Sequence, residues 1–401
     1  MTRIAIDPER LLADLDKLRT FGQCGTGVVR PAYAEAELAA RGWLAERMRE
    51  AGLEVAVDPV GNLFGLPPGD EASILIGSHS DSQPEGGWLD GAYGVIAGLE
   101  VARASLESGG PRIAVVSFQD EEGRFTTLTG SSVWAGQLAL AEAQALTDDE
   151  GITLEKACRQ PDGLPAPAEV APERFSSFLE IHIEQGPVLD TAGERIGVVE
   201  NIVGIRSERL RFTGEQNHAG TTPMHLRRDA VQGLVRYIAE LNARFADIVT
   251  PATVWTVGHV AVHPNASSIV PGQVDFTVQW RDAETARLDR MTEIVRDTAS
   301  EIAASMGLDL ERSGYATIAP THCDPILVER MAEAAEAVAP GTWRRMPSGA
   351  LHDAANASYR MPMAMLFVPS KRGISHSFEE DTDRGDLVLG VEVLARAAAG
   401  L

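Results

Sequence analysis

Hydrophobic positions along this chain change rhythm from segment to segment, and those changes mark out its elements. The segment from Asp7 to Leu18 predicts a helix with Asp7 as N-cap and Pro8 at the first helical position. Ala34 to Ala51 predicts a second helix that stops at Gly52. Short continuous apolar runs then alternate with helical patterns. Ile74 to Gly77, Ile113 to Phe118, Phe178 to Ile183 and Met363 to Val368 predict buried strands. Tyr93 to Ser105, Ser131 to Leu140 and Leu387 to Ala399 predict helices. Strands that are apolar on both faces and separated by helices predict an α/β fold whose sheet is largely parallel.

The rhythm changes near Ser207. Glu208 to Phe212, Val254 to Val262, Gln273 to Trp280 and Leu308 to Tyr315 predict strands with exposed polar positions. Helices over Asp229 to Phe245 and Glu284 to Met306 separate them. The order β-α-β-β-α-β is that of a ferredoxin-like α+β layer. The α/β style resumes near Cys323. The expected organisation is a discontinuous first domain, residues 1–207 and 322–401, with residues 208–321 inserted as a second.

Composition narrows the function classes. With 58 Asp and Glu against 35 Lys and Arg, the formal net charge is -23. A nucleic-acid binder needs a basic face, and an anionic membrane would repel this surface, so neither partner is expected. The three cysteines, Cys24, Cys158 and Cys323, have no paired spacing. That fits a reducing compartment rather than a disulfide framework, and no run of 18 apolar residues occurs, so a cytoplasmic protein is expected.

Four short clusters carry candidate chemistry. Gly77 to Ser82, GSHSDS, follows the first buried strand, with Asp90-Gly91 shortly after it. His79 and Asp81 are two apart and share a face in extended chain, so Asp81 suits the role of orienting a ligating His79. Gln119 to Phe125, QDEEGRF, places adjacent carboxylates at the end of the second strand. One of them can bind a metal while its neighbour moves a proton. His182 alternates with Ile181 and Ile183 in the third strand, and His376 lies on a loop after the fourth. Taken alone, the clusters also read as a polar loop, an acidic turn and a packed core histidine, and for the acidic pair and the strand histidine that plainer reading is the stronger one. Together they place His or carboxylate beyond the carboxyl ends of four strands, where open α/β sheets bind ligands. An imidazole and carboxylate set without thiolate suits Zn²⁺, Mn²⁺ or Co²⁺.

Seven segments, GSHSDSQPEGGWLDGAYGVIAGLE, QDEEGRF, LEIHIEQGPVL, GEQNHAGTTPM, HPNASSIVPGQVDFTVQWRD, SGALHDA and GISHSFEE, run in order from Gly77 to Glu380. Together they resemble the M20 metallopeptidase-like superfamily, in its hydantoinase/carbamoylase branch. The resemblance implies an aminopeptidase-like catalytic domain with a mixed, mainly parallel sheet, plus an inserted dimerisation and lid domain. It implies two divalent ions per subunit, Zn, Mn or Co, with Asp90 shared between them. His79 and His182 complete one position, and Glu122 and His376 the other. Asp81 backs His79, and Glu121 is the general base. His218 acts in catalysis from a partner subunit. Gln185, His218, Asn265 and Arg281 bind a small substrate, with Arg281 pairing its carboxylate. Ser82, Gln83, Gln216, Gln279 and Phe378 depart from the usual residues of the pattern, which bears on the substrate rather than on the metal chemistry.

The expected protein is therefore a homodimeric two-metal amidohydrolase that cleaves an N-carbamoyl-L-amino acid to amino acid, ammonia and carbon dioxide. Allantoate, or an N-acyl amino acid or dipeptide, is the rival substrate. A non-catalytic binding protein on a degenerate scaffold is the rival class, and the presence of Glu121, Glu122, Asp90 and all three histidines weighs against it.

Overall fold

A computed structural model describes residues 4–161 and 163–401. The chain divides into two units, Met1–Glu200 with His322–Leu401, and Asn201–Thr321.

In the first unit the continuous apolar runs lie side by side. Ile113–Phe118, Ser73–His79, Phe175–Ile183 and Met363–Val368 are neighbours, and each adjacent pair is parallel. Their carboxyl ends therefore open on one rim. These four strands are almost wholly buried, as a sheet covered on both faces requires. The helix Ala92–Ser108 helps to cover them, and every residue from Ala92 to Ser105 is buried.

The sheet is less parallel than the apolar runs suggest. Among the described residues it has nine strands, and antiparallel strands flank the central four on both sides. Leu63–Leu66 pairs antiparallel with Ile113–Phe118, and Glu54–Val57 with Leu63–Leu66. Ile196–Ile202 pairs antiparallel with Met363–Val368 on the other side. The expected single helix from Ser131 to Leu140 is two short ones, Thr129–Trp134 and Leu140–Ala145. Gly136 interrupts them with a φ of 75°, a left-handed conformation that ends a helix. The first helix runs Pro8–Arg19, and the Asp7 side chain accepts the N–H groups of Glu9 and Arg10.

The second unit is a four-stranded antiparallel sheet. Its order is Val254–His263, Gln273–Asp282, Gly204–Thr213, Asp309–Ile318. Strict alternation along Gln273–Asp282 buries Val274, Phe276, Val278 and Trp280. They pack with Tyr237 of the helix Ala230–Phe245 and with Leu288 and Met291 of the helix Thr285–Met306. The same alternation leaves Gln279 and Arg281 together on the opposite, half-buried face. Among the described residues no helix is long and apolar enough to cross a membrane.

Candidate metal centre

Asp90 is the hub of the rim. It ends the turn before the helix Ala92–Ser108, and its two carboxylate oxygens face different ways. Oδ1 lies 3.1 Å from Nε2 of His182 and 3.5 Å from Nε2 of His79. Oδ2 lies 3.3 Å from Nε2 of His376, which is 3.7 Å from Oε2 of Glu122. Two ligand groups result. The inner one is His79, Asp90 and His182, all buried, and the outer one is Asp90, Glu122 and His376.

Local structure explains the aim of each side chain. His79 ends its strand, and its Nδ1 lies 3.1 Å from the carbonyl oxygen of Asp81. His182 sits on a buried strand, and its Nδ1 lies 2.8 Å from the carbonyl oxygen of Ile183. Each histidine thus meets a backbone acceptor on one nitrogen and turns the other toward Asp90, the arrangement that suits a metal-ligating imidazole. The Asp81 carboxylate lies 3.5 Å from His79 Nδ1 and also accepts the backbone N–H groups of Glu121 and Glu122, at 3.4 and 3.2 Å. It ties the acidic pair of one strand end to the histidine of the next. Gly91, at φ 63°, makes the approach possible, because a Cβ there would stand 2.3 Å from His79 Nε2. His376 differs from the other two: it is on a loop, with its side chain 50% exposed.

Carboxyl groups are crowded here. Burial, with the charges of Glu122, Asp353 and Asp90, pushes Glu121 well above the ordinary carboxylate range despite His79, whose Nε2 is 3.5 Å away. Burial and Asp90 push Glu122 up to about 7. Burial opposes ionisation of Asp90 as well, but the bonds from His182, His376 and His79 outweigh it and hold Asp90 well below the range. The bond to Asp90 raises His376 to about 9. This much buried negative charge is costly unless cations compensate it. Donor type, spacing and charge all fit divalent cations at both groups.

Three further residues around the hub lie in the quoted segments without a role having been assigned to them. Glu380 accepts the N–H groups of Leu89 and Asp90 at 3.1 and 3.0 Å and the Ser375 hydroxyl at 2.8 Å. Gly87 leaves room for it, since a Cβ there would come within 1.9 Å of its carboxyl carbon. Glu180 accepts the Ser78 hydroxyl at 2.6 Å and the Ala354 N–H at 3.0 Å. The His352 ring packs edge-on against His182, 4.7 Å between centroids. Glu180 was within reach of the sequence, because a period of two puts it on the face of His182.

Of the proposed substrate residues, Gln185 belongs to this cluster. Its Nε2 donates to Asp90 Oδ2 at 2.8 Å. His218, Asn265 and Arg281 belong to the second unit. His218 Nδ1 accepts the N–H groups of Gly220 and Thr221 at 3.0 and 3.2 Å, so its remaining proton is on Nε2. Asn265 is exposed at φ 56° on the loop before Ile269–Val270, the strand that pairs with Asn217–His218. Arg281 donates from Nε and Nη2 to Gln279 Oε1, at 3.2 and 3.0 Å.

The family model for peptidase family M20/M25/M40 matches residues 75–400. The chain belongs to the M20 family. It is 36% identical to an N-carbamoyl-L-amino-acid amidohydrolase of Paenarthrobacter aurescens, and the match covers 100% of each chain. It is 35% identical to an allantoate amidohydrolase of Escherichia coli (strain K12), covering 92% of each. Among solved structures it is similar to a hydantoinase/carbamoylase family amidase from Burkholderia phymatum, with a TM-score of 0.91 and 42% identity over 99% of this chain and 98% of that one. The M20 relationship spans the rim clusters and the second unit alike.

Proposed function

We propose that this M20 protein is a two-ion amidohydrolase that cleaves the ureido C–N bond of an N-carbamoyl-L-amino acid, giving the amino acid, ammonia and carbon dioxide. The observation that carries the reading is Asp90, whose two oxygens face two separate histidine-bearing groups beside the buried carboxyl of Glu121. The names of the full-length relatives support the ureido class of substrate.

His79, Asp90 and His182 would hold one divalent ion, Zn, Mn or Co, and Asp90, Glu122 and His376 the other. Held there, such ions polarise the substrate carbonyl and lower the pKa of water. The rest falls to the side chains. Glu121 takes a proton from the attacking water and delivers it to the leaving nitrogen. The Nε2–H of His218 donates to the oxygen on which negative charge develops. Arg281 pairs with the substrate carboxylate, and Gln185 and Asn265 bind the remaining polar groups.

A homodimer is part of the proposal. Arg281 lies eight positions along its strand from Gln273, roughly 26 Å in extended chain. The short ladder that carries His218 leads off from the Gln273 end. That separation supports a second copy supplying one of the two residues to an amino-acid-sized substrate. Cytoplasmic residence fits the three free cysteines.

The test is a release assay with protein reconstituted separately with Zn²⁺, Mn²⁺ or Co²⁺. Ammonia together with a free amino acid from N-carbamoyl-L-amino acids supports the reading. Ammonia from allantoate alone moves the protein to that substrate, and release of acid from N-acyl amino acids without ammonia overturns the ureido assignment.

A further inference from the structure

The two ligand groups are held unequally. The inner histidines stand at strand ends and are fixed by backbone carbonyls. In the outer group His376 is half-exposed on a loop, and among the described residues the Glu122 side chain has a single neutral donor, the amide of Gln83. Gln83 Nε2 lies 2.7 Å from Glu122 Oε2 and 3.3 Å from the Glu122 carbonyl oxygen. It therefore grips both the side chain and the backbone of one residue. The oxygen it holds is the one that faces His376.

The grip is prepared in advance. Gln83 follows Ser82, whose N–H donates to the Arg30 carbonyl and whose hydroxyl accepts the Arg30 N–H, both at 3.0 Å. Arg30 is buried and its Nε donates to the Ser80 carbonyl at 2.6 Å. The backbone that presents Gln83 is thus pinned at the residue immediately before it.

We infer that Gln83 is a positioning residue for the outer ion: its amide holds Glu122 toward His376 and so sets the affinity of that position alone. The inference rests on the two-ion reading above. A hydrogen bond from beyond the ligand shell orients the ligand, and losing one typically weakens metal binding about 10- to 100-fold. The inner group makes no contact with Gln83 among the described residues and keeps its affinity.

The experiment is calorimetric titration of metal-free protein with Zn²⁺ or Co²⁺, comparing wild type with Gln83→Met, which keeps the shape without the donor, and Gln83→Glu, which faces Glu122 with a like charge. Glu122→Ala marks which binding step belongs to the outer position. Thermal midpoints of the metal-free proteins check folding. The expected result is two steps in wild type, with the outer step about 10- to 100-fold weaker in Gln83→Met, weaker again in Gln83→Glu, and the inner step unchanged. Two steps with wild-type constants in both variants overturn the role of Gln83. Equal weakening of both steps does so too, because it signals general loosening. A single step in wild type overturns the two-ion reading itself, and the inference with it.

Discussion

Glu380 accepts the backbone N–H of Asp90 at 3.0 Å, from a loop 290 residues further along the chain. The same carboxyl takes the Leu89 N–H, and the Ser375 hydroxyl lies within hydrogen-bond distance of both it and Asp90 Oδ2. On the two-ion reading Asp90 must be held still to serve two positions at once, and these bonds hold the turn before the helix Ala92–Ser108. Glu380→Ala leaves two buried N–H groups without acceptors. Each costs about 1–3 kcal/mol, so unfolding of the metal-free variant in urea is expected to be about 2–6 kcal/mol easier. Both metal affinities fall together, unlike the selective effect expected at Gln83. Unchanged stability would show that the Glu380 bonds hold nothing.

Gly91→Ala places a methyl within 2.3 Å of His79 Nε2 on a backbone at φ 63°. The backbone strain alone is of the order of 1–2 kcal/mol. The larger effect is displacement of His79. The inner binding step is expected to vanish in calorimetry, with activity at least about a hundredfold lower. An intact inner step would contradict the assigned closeness of this turn to the histidine.

Arg281 presents a fork, held at Nε and Nη2 by the neutral Gln279. A carboxylate matches that fork in a way an ammonium cannot reproduce. Arg281→Lys is therefore expected to raise KM about tenfold or more with a smaller change in kcat, and Arg281→Ala to raise it further. The same KM in both variants, measured by steady-state ammonia release, would remove Arg281 from substrate binding.

Chelation should destabilise as well as inactivate. Bound at a hundred times Kd, one ion adds about 2.7 kcal/mol to the folded state. Removing both leaves Asp90, Glu121, Glu122 and Glu380 crowded without cations, so the thermal midpoint is expected to fall by several degrees and to recover on adding metal. A midpoint indifferent to chelator would mean that the crowded carboxyls are compensated some other way.

Legibility from sequence followed the physics of each feature. The central strands announce themselves as continuous apolar runs, and His79, the Glu121–Glu122 pair and His182 sit in or just after them, so parallel order alone brings these residues to one rim. The antiparallel outer strands Glu54–Val57 and Leu63–Leu66 are only four residues long and leave no comparable run. Glu380 and Gln83 act through loops that close on partners far away in sequence or across a strand gap, and no local period encodes such closure. His376 was legible through the family pattern rather than through its own surroundings, since a loop histidine carries no periodic signal.

The most direct measurement of the central claim is Glu121→Gln, assayed for bound metal and for ammonia release from N-carbamoyl-L-amino acids. The carboxyl is replaced by an amide of the same shape that cannot carry a proton, while the ligand atoms of Asp90, Glu122 and the three histidines stay in place. The account predicts two bound ions, as in wild type, and turnover lower by about 10²–10⁴-fold. Two bound ions with near-wild-type turnover would contradict it.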